Sequence, residues 1–121
     1  IMIKGIDHIA ICSQDPKALQ EWYVKTFGFE VFLDGFLRTP DGVMLEFLGS
    51  DEDGGIQGKG VSGIRHIAFR VDDFDALVDK IRDLEVEIVS EPSDGPNNRT
   101  FFFRDPECNI LQFQYWKIPI D

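Results

Sequence analysis

Histidine and cysteine are scarce in this 121-residue chain, with two of each. Cys12 and Cys108 are too few for a disulfide framework and lie in no Cys-x-x-Cys metal motif, so two reduced thiols in a cytoplasmic protein are expected. No apolar run approaches the ~20 residues of a membrane-crossing helix. The first residues show no basic stretch followed by a long apolar one, so no secretory signal is expected. Basic residues are also short: 12 Lys and Arg against 22 Asp and Glu leave a formal charge of −10. A field of that sign repels nucleic acid and anionic membranes, and no basic patch offsets it. It leaves room for a small anion held by local arginines and mildly favours a cationic ligand. What the chain does have is an ordinary apolar share, 43%, and eleven Phe to fill a core. At this length it is one compact unit, or two small modules sharing a core.

The chain contains one short stretch twice. Gly5-Ile6-Asp7-His8-Ile9-Ala10 returns as Gly63-Ile64-Arg65-His66-Ile67-Ala68. The two histidines occupy the same place in both copies, at an offset of 58 (66 − 8). Asp15, Ala18 and Leu19 fall on Asp73, Ala76 and Leu77 at that same offset. A second echo aligns Pro40-Asp41-Gly42-Val43-Met44-Leu45-Glu46-Phe47 with Pro106-Glu107-Cys108-Asn109-Ile110-Leu111-Gln112-Phe113, now at an offset of 66 (112 − 46). The second half thus carries about eight extra residues between its helix and its last strand. Self-similarity of this kind fixes architecture before any local assignment does.

Local patterns complete the plan. Period-2 alternation predicts strands over Ile3–Ile11, Phe29–Leu33, Phe36–Thr39 and Val43–Leu48. Asp15 as N-cap, Pro16 at the first helical position and Gly28 as C-cap bound a helix whose stripe is Leu19, Trp22, Tyr23, Thr26 and Phe27. The second half repeats this: a strand over Gly63–Val71, a helix capped by Asp72-Asp73 with the stripe Phe74, Leu77, Val78, Ile81 and Leu84, then strands over Val86–Val89, Thr100–Arg104 and Asn109–Trp116. Ser90–Asn98 reads as a long polar loop holding the extra residues, and the glycine-rich, acidic stretch Gly49–Gly60 as a flexible connector. The expected fold class is α+β: one domain over 1–121, built of two pseudo-symmetric βαβββ modules (3–49 and 62–117) joined by a linker at 50–61, with their strands in a curved mixed sheet.

Four polar residues recur in matched places. His8 and His66 sit on the first strand of each half, Glu46 and Gln112 on the last, each with aliphatic neighbours on its own face. A carboxylate on a buried face needs a partner. A divalent cation would satisfy Glu46, two imidazoles and an amide oxygen together, and such N/O ligation suits Zn, Ni, Co, Mn or Fe(II) alike. Histidines simply satisfied by hydrogen bonds fit the same pattern. The residues alone leave both readings open.

The pattern resembles the vicinal oxygen chelate superfamily, the group of glyoxalase I, bleomycin-resistance proteins and extradiol dioxygenases. The likeness runs from about Ile3 to Trp116. Arg104-Asp105-Pro106-Glu107-Cys108-Asn109-Ile110-Leu111-Gln112 resembles the family's closing turn and strand, a DPDGN motif followed by two apolar residues and a Glu. The resemblance implies a cup of strands around one metal held by His8, Glu46, His66 and Gln112, in a homodimer acting on a small molecule. Two departures stand out: Gln112 replaces the usual Glu, and Cys108 the usual Gly. A ring-cleaving dioxygenase takes its one carboxylate ligand from the last strand, so Gln112 argues against that activity.

Glyoxalase-like and epimerase-like members use a ligand from each of four strands, and this chain fits that plan. The implied activity is that of a lyase or isomerase, lactoylglutathione lyase-like or acyl-CoA epimerase-like, moving a proton next to a metal-bound carbonyl. Glu46 is the one implied ligand able to carry that proton. Arg99 and Asn97 are weaker candidates for holding a substrate anion, Phe102 and Trp116 for walling the site, and Arg38 and Arg70 lie near strand ends. A non-catalytic binder of a cationic drug, of the bleomycin-resistance type, is the alternative that the −10 charge suits.

Overall fold

The structure, a computed structural model, describes residues 2–55 and 60–120. Positions 56–59 of the expected connector lie outside the described residues. The chain divides into two compact units, Ile1–Asp53 and Gly54–Asp121. Each carries a βαβββ module and a four-stranded mixed sheet of its own, so the α+β class and the duplication read from the sequence are both present.

In the first unit β1 (His8–Ser13) leads into α1 (Pro16–Phe27), followed by β2 (Glu30–Leu33), β3 (Phe36–Arg38) and β4 (Met44–Gly49). The sheet order is β1-β4-β3-β2, with β1 parallel to β4 and the other pairs antiparallel. The helix starts where its signals lie: the Asp15 carboxylate accepts from the Ala18 N–H at 3.1 Å, and Pro16 stands where no donor is needed. It stops at Gly28, whose φ of 72° is left-handed. Leu19, Tyr23 and Thr26 are its buried face, and Tyr23 meets Phe47 of β4 edge-on at 5.3 Å. Ile11, Leu45 and Phe47 close the core on that side of the sheet.

The second unit repeats the order with β5 (Ile67–Arg70), α2 (Phe74–Asp83), β6 (Ile88–Asp94), β7 (Asn98–Arg104) and β8 (Ile110–Trp116), arranged β5-β8-β7-β6. Its core is a Phe cluster: Phe101, Phe103 and Phe113 are at most 1% exposed, and Phe103 and Phe113 lie 4.9 Å apart. Each such ring contributes about 1.5–3 kcal/mol of burial. Phe74, Val78 and Ile81 of α2 are buried, whereas Leu84 is 38% exposed just past the helix end.

Two differences from the sequence reading are large. β1 and β5 begin at His8 and Ile67 rather than at Ile3 and Gly63, because the ladders with β4 and β8 begin at His8↔Met44 and Ile67↔Leu111. Ile3, Ile6 and Ile64 are accordingly well exposed within this chain. The expected long loop Ser90–Asn98 is mostly strand: β6 runs to Asp94, and the connection to β7 is only Gly95–Asn97. The extra residues of this half lengthen a hairpin. Pro92, which has no N–H to give, falls where the β6–β7 register slips between Ser90 and Ser93.

Candidate metal-binding pairs

In the first unit the ladder sets His8 beside Met44, and Ala10 beside Glu46, with Phe36 of β3 on the other side of Glu46. Alternation turns these residues to the sheet face opposite α1. His8 and Glu46 are diagonal neighbours, and His8 Nε2 lies 3.5 Å from Glu46 Oε1. The other ring nitrogen is engaged: His8 Nδ1 is 2.8 Å from Asp7 Oδ2. A carboxylate only accepts, so in the neutral ring Nδ1 carries the proton and Nε2 turns a lone pair toward Glu46. Two Lewis-basic atoms then face each other, and a proton or a metal cation is what such a pair takes up. Phe36 meets the imidazole edge-on, with centroids 5.8 Å apart at 75°.

The second unit has the same frame with different chemistry. Gln112 pairs with Ala68 on one side and Phe102 on the other, as Glu46 does with Ala10 and Phe36. Phe102 meets the His66 ring edge-on at 5.2 Å and 86°. Behind His66, however, stands a guanidinium. Arg65 Nη1 lies 2.9 Å from His66 Nδ1, and a guanidinium only donates, so Nδ1 is the acceptor. In the neutral ring the His66 proton is therefore on Nε2, and the ring is also hydrogen-bonded to the Gln112 side chain. Gln112 in turn donates its amide to Gln114 Oε1 at 2.7 Å, which also accepts from Asn98 Nδ2 at 3.3 Å. Both glutamines are buried. Burial first, and the Arg65 charge second, push the His66 pKa below its ordinary value, against the Gln112 hydrogen bond, which raises it.

Each pair offers an imidazole nitrogen and a side-chain oxygen, carboxylate in the first and amide in the second, donor types suited to a borderline divalent cation. The first pair fits such an ion as it stands. The second fits once the His66 proton moves off Nε2. Among the described residues no three His, Cys, Asp or Glu side chains gather as a metal group, and each unit contains one pair.

Of the weaker candidates, Phe102 lies against His66, and Trp116, 38% exposed, ends β8 on the Gln112 face opposite Asn98. Arg99 is placed otherwise. It shares the helix-side face with Phe101 and Phe103, sits 4.4 Å over the Phe74 ring, and its guanidinium is paired with Asp75 at 3.0 Å and Asp94 at 3.8 Å. Arg99 thus ties α2 to the β6–β7 hairpin on the side away from His66. Sequence reasoning missed Phe36, Asp7, Arg65 and Gln114. Three of them had a signal: Asp7 and Arg65 match at the offset of the histidines, and Phe36 matches Phe102 at the offset of Glu46 and Gln112. Gln114 had none, because its first-half counterpart is Leu48.

The family model of the Glyoxalase/Bleomycin resistance protein/Dioxygenase superfamily matches residues 5–113, and the chain belongs to that superfamily. Among solved structures it is similar to a glyoxalase/dioxygenase from Nostoc punctiforme, at 21% identity and a TM-score of 0.84 over 95% of this chain and 92% of that one. It is also similar to lactoylglutathione lyase from Agrobacterium tumefaciens, at 22% identity and a TM-score of 0.68 over 93% and 94% of the two chains. TioX from Micromonospora sp. ML1 matches at 19% identity and a TM-score of 0.70 over 92% and 98%. These likenesses carry the fold.

Proposed function

We propose that this chain is a metal-dependent lyase or isomerase that moves a proton beside the carbonyl of a small substrate. The observation that carries the reading is the His8–Glu46 pair, an imidazole lone pair and a carboxylate facing each other at 3.5 Å, with Asp7 fixing the ring behind. His8, Glu46, His66 and Gln112 would hold one divalent ion, Zn, Ni, Co, Mn or Fe, in a homodimer, as the family resemblance implies, and the two reduced thiols suit a cytoplasmic protein. When bound, such an ion supplies Lewis acidity, polarising the carbonyl and stabilising the enediolate formed from it.

The chain's own residues supply the proton path. Glu46 accepts the proton from the carbon next to the carbonyl, and the C–H electron pair passes into the enediolate. Glu46 then returns the proton to the neighbouring carbon, so the step needs no external oxidant or reductant. Gln112 cannot share this task, because an amide has no proton-accepting carboxylate. Phe36 and Phe102 present apolar edges beside the imidazoles and exclude water from their side of the rings.

The test is a screen of thiol adducts of dicarbonyls and of acyl-CoA thioesters against the protein loaded with each of the five metals, with proton exchange at the adjacent carbon as readout. Metal-dependent exchange supports the reading, and none with either class rejects it. One observation favours a second reading, sequestration of a cationic small molecule: the second pair is closed by its own hydrogen bonds, and the chain carries a net charge of −10. Tight binding of a cationic drug by metal-free protein would support that alternative.

A further inference from the structure

The residue before each histidine differs in sign, Asp7 before His8 and Arg65 before His66. Each reaches the Nδ1 of its neighbour, at 2.8 Å and 2.9 Å. Hydrogen-bond chemistry allows one tautomer in each case. Asp7 has only acceptors, so His8 is Nδ1–H and its Nε2 is a free donor atom for a metal. Arg65 has only donors, so the neutral His66 is Nε2–H and that nitrogen is occupied by its proton, with Gln112 hydrogen-bonded to the ring.

We propose that the two neutral histidines are held in opposite tautomers, and that Arg65 is the residue that sets how tightly this chain takes a divalent ion. The inference rests on the metal-dependent reading above and extends it. His8 and Glu46 form the resident pair, ready without rearrangement. His66 joins only when its proton leaves Nε2 for Nδ1, and that move breaks the Arg65 hydrogen bond and leaves a guanidinium facing an N–H. Arg65 also lies over the Phe102 ring at 5.0 Å, which helps hold the guanidinium behind His66. Asp7 works in the other direction, because a carboxylate on the far nitrogen raises the basicity of a ligating imidazole. Arg65 and Asp7 are positioning residues in this scheme, since neither touches the ion.

The experiment uses the whole chain. Only two histidines are present, so ring ¹⁵N spectra of histidine-labelled, metal-free protein at about pH 8, above the ordinary imidazole range, show two patterns and no others. The expected result is one Nδ1–H ring and one Nε2–H ring, assigned through His8→Asn and His66→Asn. Zinc and cobalt affinities are then measured by competition with a chromophoric chelator. Arg65→Asp is expected to turn His66 to the Nδ1–H form and to tighten binding about 10-fold, and Asp7→Asn to weaken it about 10-fold, the usual scale for groups behind a ligand. Arg65→Lys, which keeps donors and no acceptor, is expected to keep the wild-type tautomer and affinity. Arg65→Met, which removes the charge without supplying an acceptor, is expected to tighten binding less than Arg65→Asp and so separates hydrogen bonding from the change in net charge. Like tautomers in wild type, or wild-type affinity in Arg65→Asp, would overturn the inference and leave the metal reading standing. No uptake of either ion by any variant overturns the metal reading and this inference with it.

Discussion

His8 and Glu46 are not opposite one another in the β1–β4 ladder, yet His8 Nε2 comes within 3.5 Å of Glu46 Oε1. The diagonal contact leaves Ala10 and Met44 as their direct partners, small or flexible enough not to intrude. Under the proposed mechanism Glu46→Gln keeps an oxygen at the same place and loses the proton shuttle. It is expected to retain most bound metal while kcat falls by about 10²–10⁴-fold. Metal content by elemental analysis, measured beside turnover, checks it, and full activity would remove Glu46 from the mechanism.

Gly42 and Cys108 hold the same place in the two closing turns, with φ of 96° and 69°. A left-handed conformation costs a residue with a Cβ roughly 1–2 kcal/mol, partly offset by the greater freedom that glycine loses on folding. Cys108→Gly is therefore expected to stabilise the protein by about 0.5–1 kcal/mol, and Gly42→Ala to destabilise it by a similar amount. Urea unfolding of both variants gives the signs directly.

Asp105 is a buried carboxylate that builds the turn before β8. Its Oδ1 accepts from the backbone N–H groups of Glu107 and Asn109 at 2.9 and 3.0 Å, and its Oδ2 from Asn109 Nδ2 at 2.9 Å. Asp105→Ala strips those donors of their partner and is expected to cost about 2–4 kcal/mol, the range for orphaned buried polar groups. Asp105→Asn, which keeps an acceptor, is expected to lose less. Thermal unfolding by circular dichroism separates the two.

Asp94 links the β6–β7 turn to Lys117, whose ammonium hydrogen-bonds both its carboxylate and the Gly95 carbonyl. That hydrogen bond, with the Lys117 and Arg99 charges behind it, holds the Asp94 pKa below its ordinary 3.8. A depressed carboxyl pKa contributes stability that is complete above the unfolded value and fades as pH falls through the folded one. The Tm advantage of wild type over Asp94→Asn is thus expected to be present at neutral pH and to shrink as the pH falls below the ordinary carboxyl range. A gap that widens on acidification would contradict the assignment.

The parts of this molecule written in short-range rules were legible in advance. Asp15-Pro16 and Gly28 bound α1 because caps act within one turn, and the repeat showed the duplication and both residue pairs without any structure. Strand ends were not legible: alternation continues through Ile3 and Ile6, but a strand exists only where a neighbour offers hydrogen bonds, and β4 begins opposite His8. The polar run Ser90–Asp94 read as a loop because its side chains suit one, while its backbone pairs with β7. Asp7 and Arg65 were passed over because alternation assigns adjacent residues to opposite faces. Their side chains instead reach sideways to the neighbouring imidazole. Arg99 stands among the weaker candidates for an anion holder because an arginine in a polar stretch gives no sign of Asp75, 24 positions away.

Under the proposed function both pairs serve one ion, and counting that ion is the most direct test. Protein prepared without chelator and reloaded with zinc or nickel is analysed for metal per chain, beside His8→Ala and His66→Ala. The account predicts about one ion per chain in wild type and loss of tight binding in both variants, with the larger loss in His8→Ala. An ion retained at full affinity in either variant would contradict it.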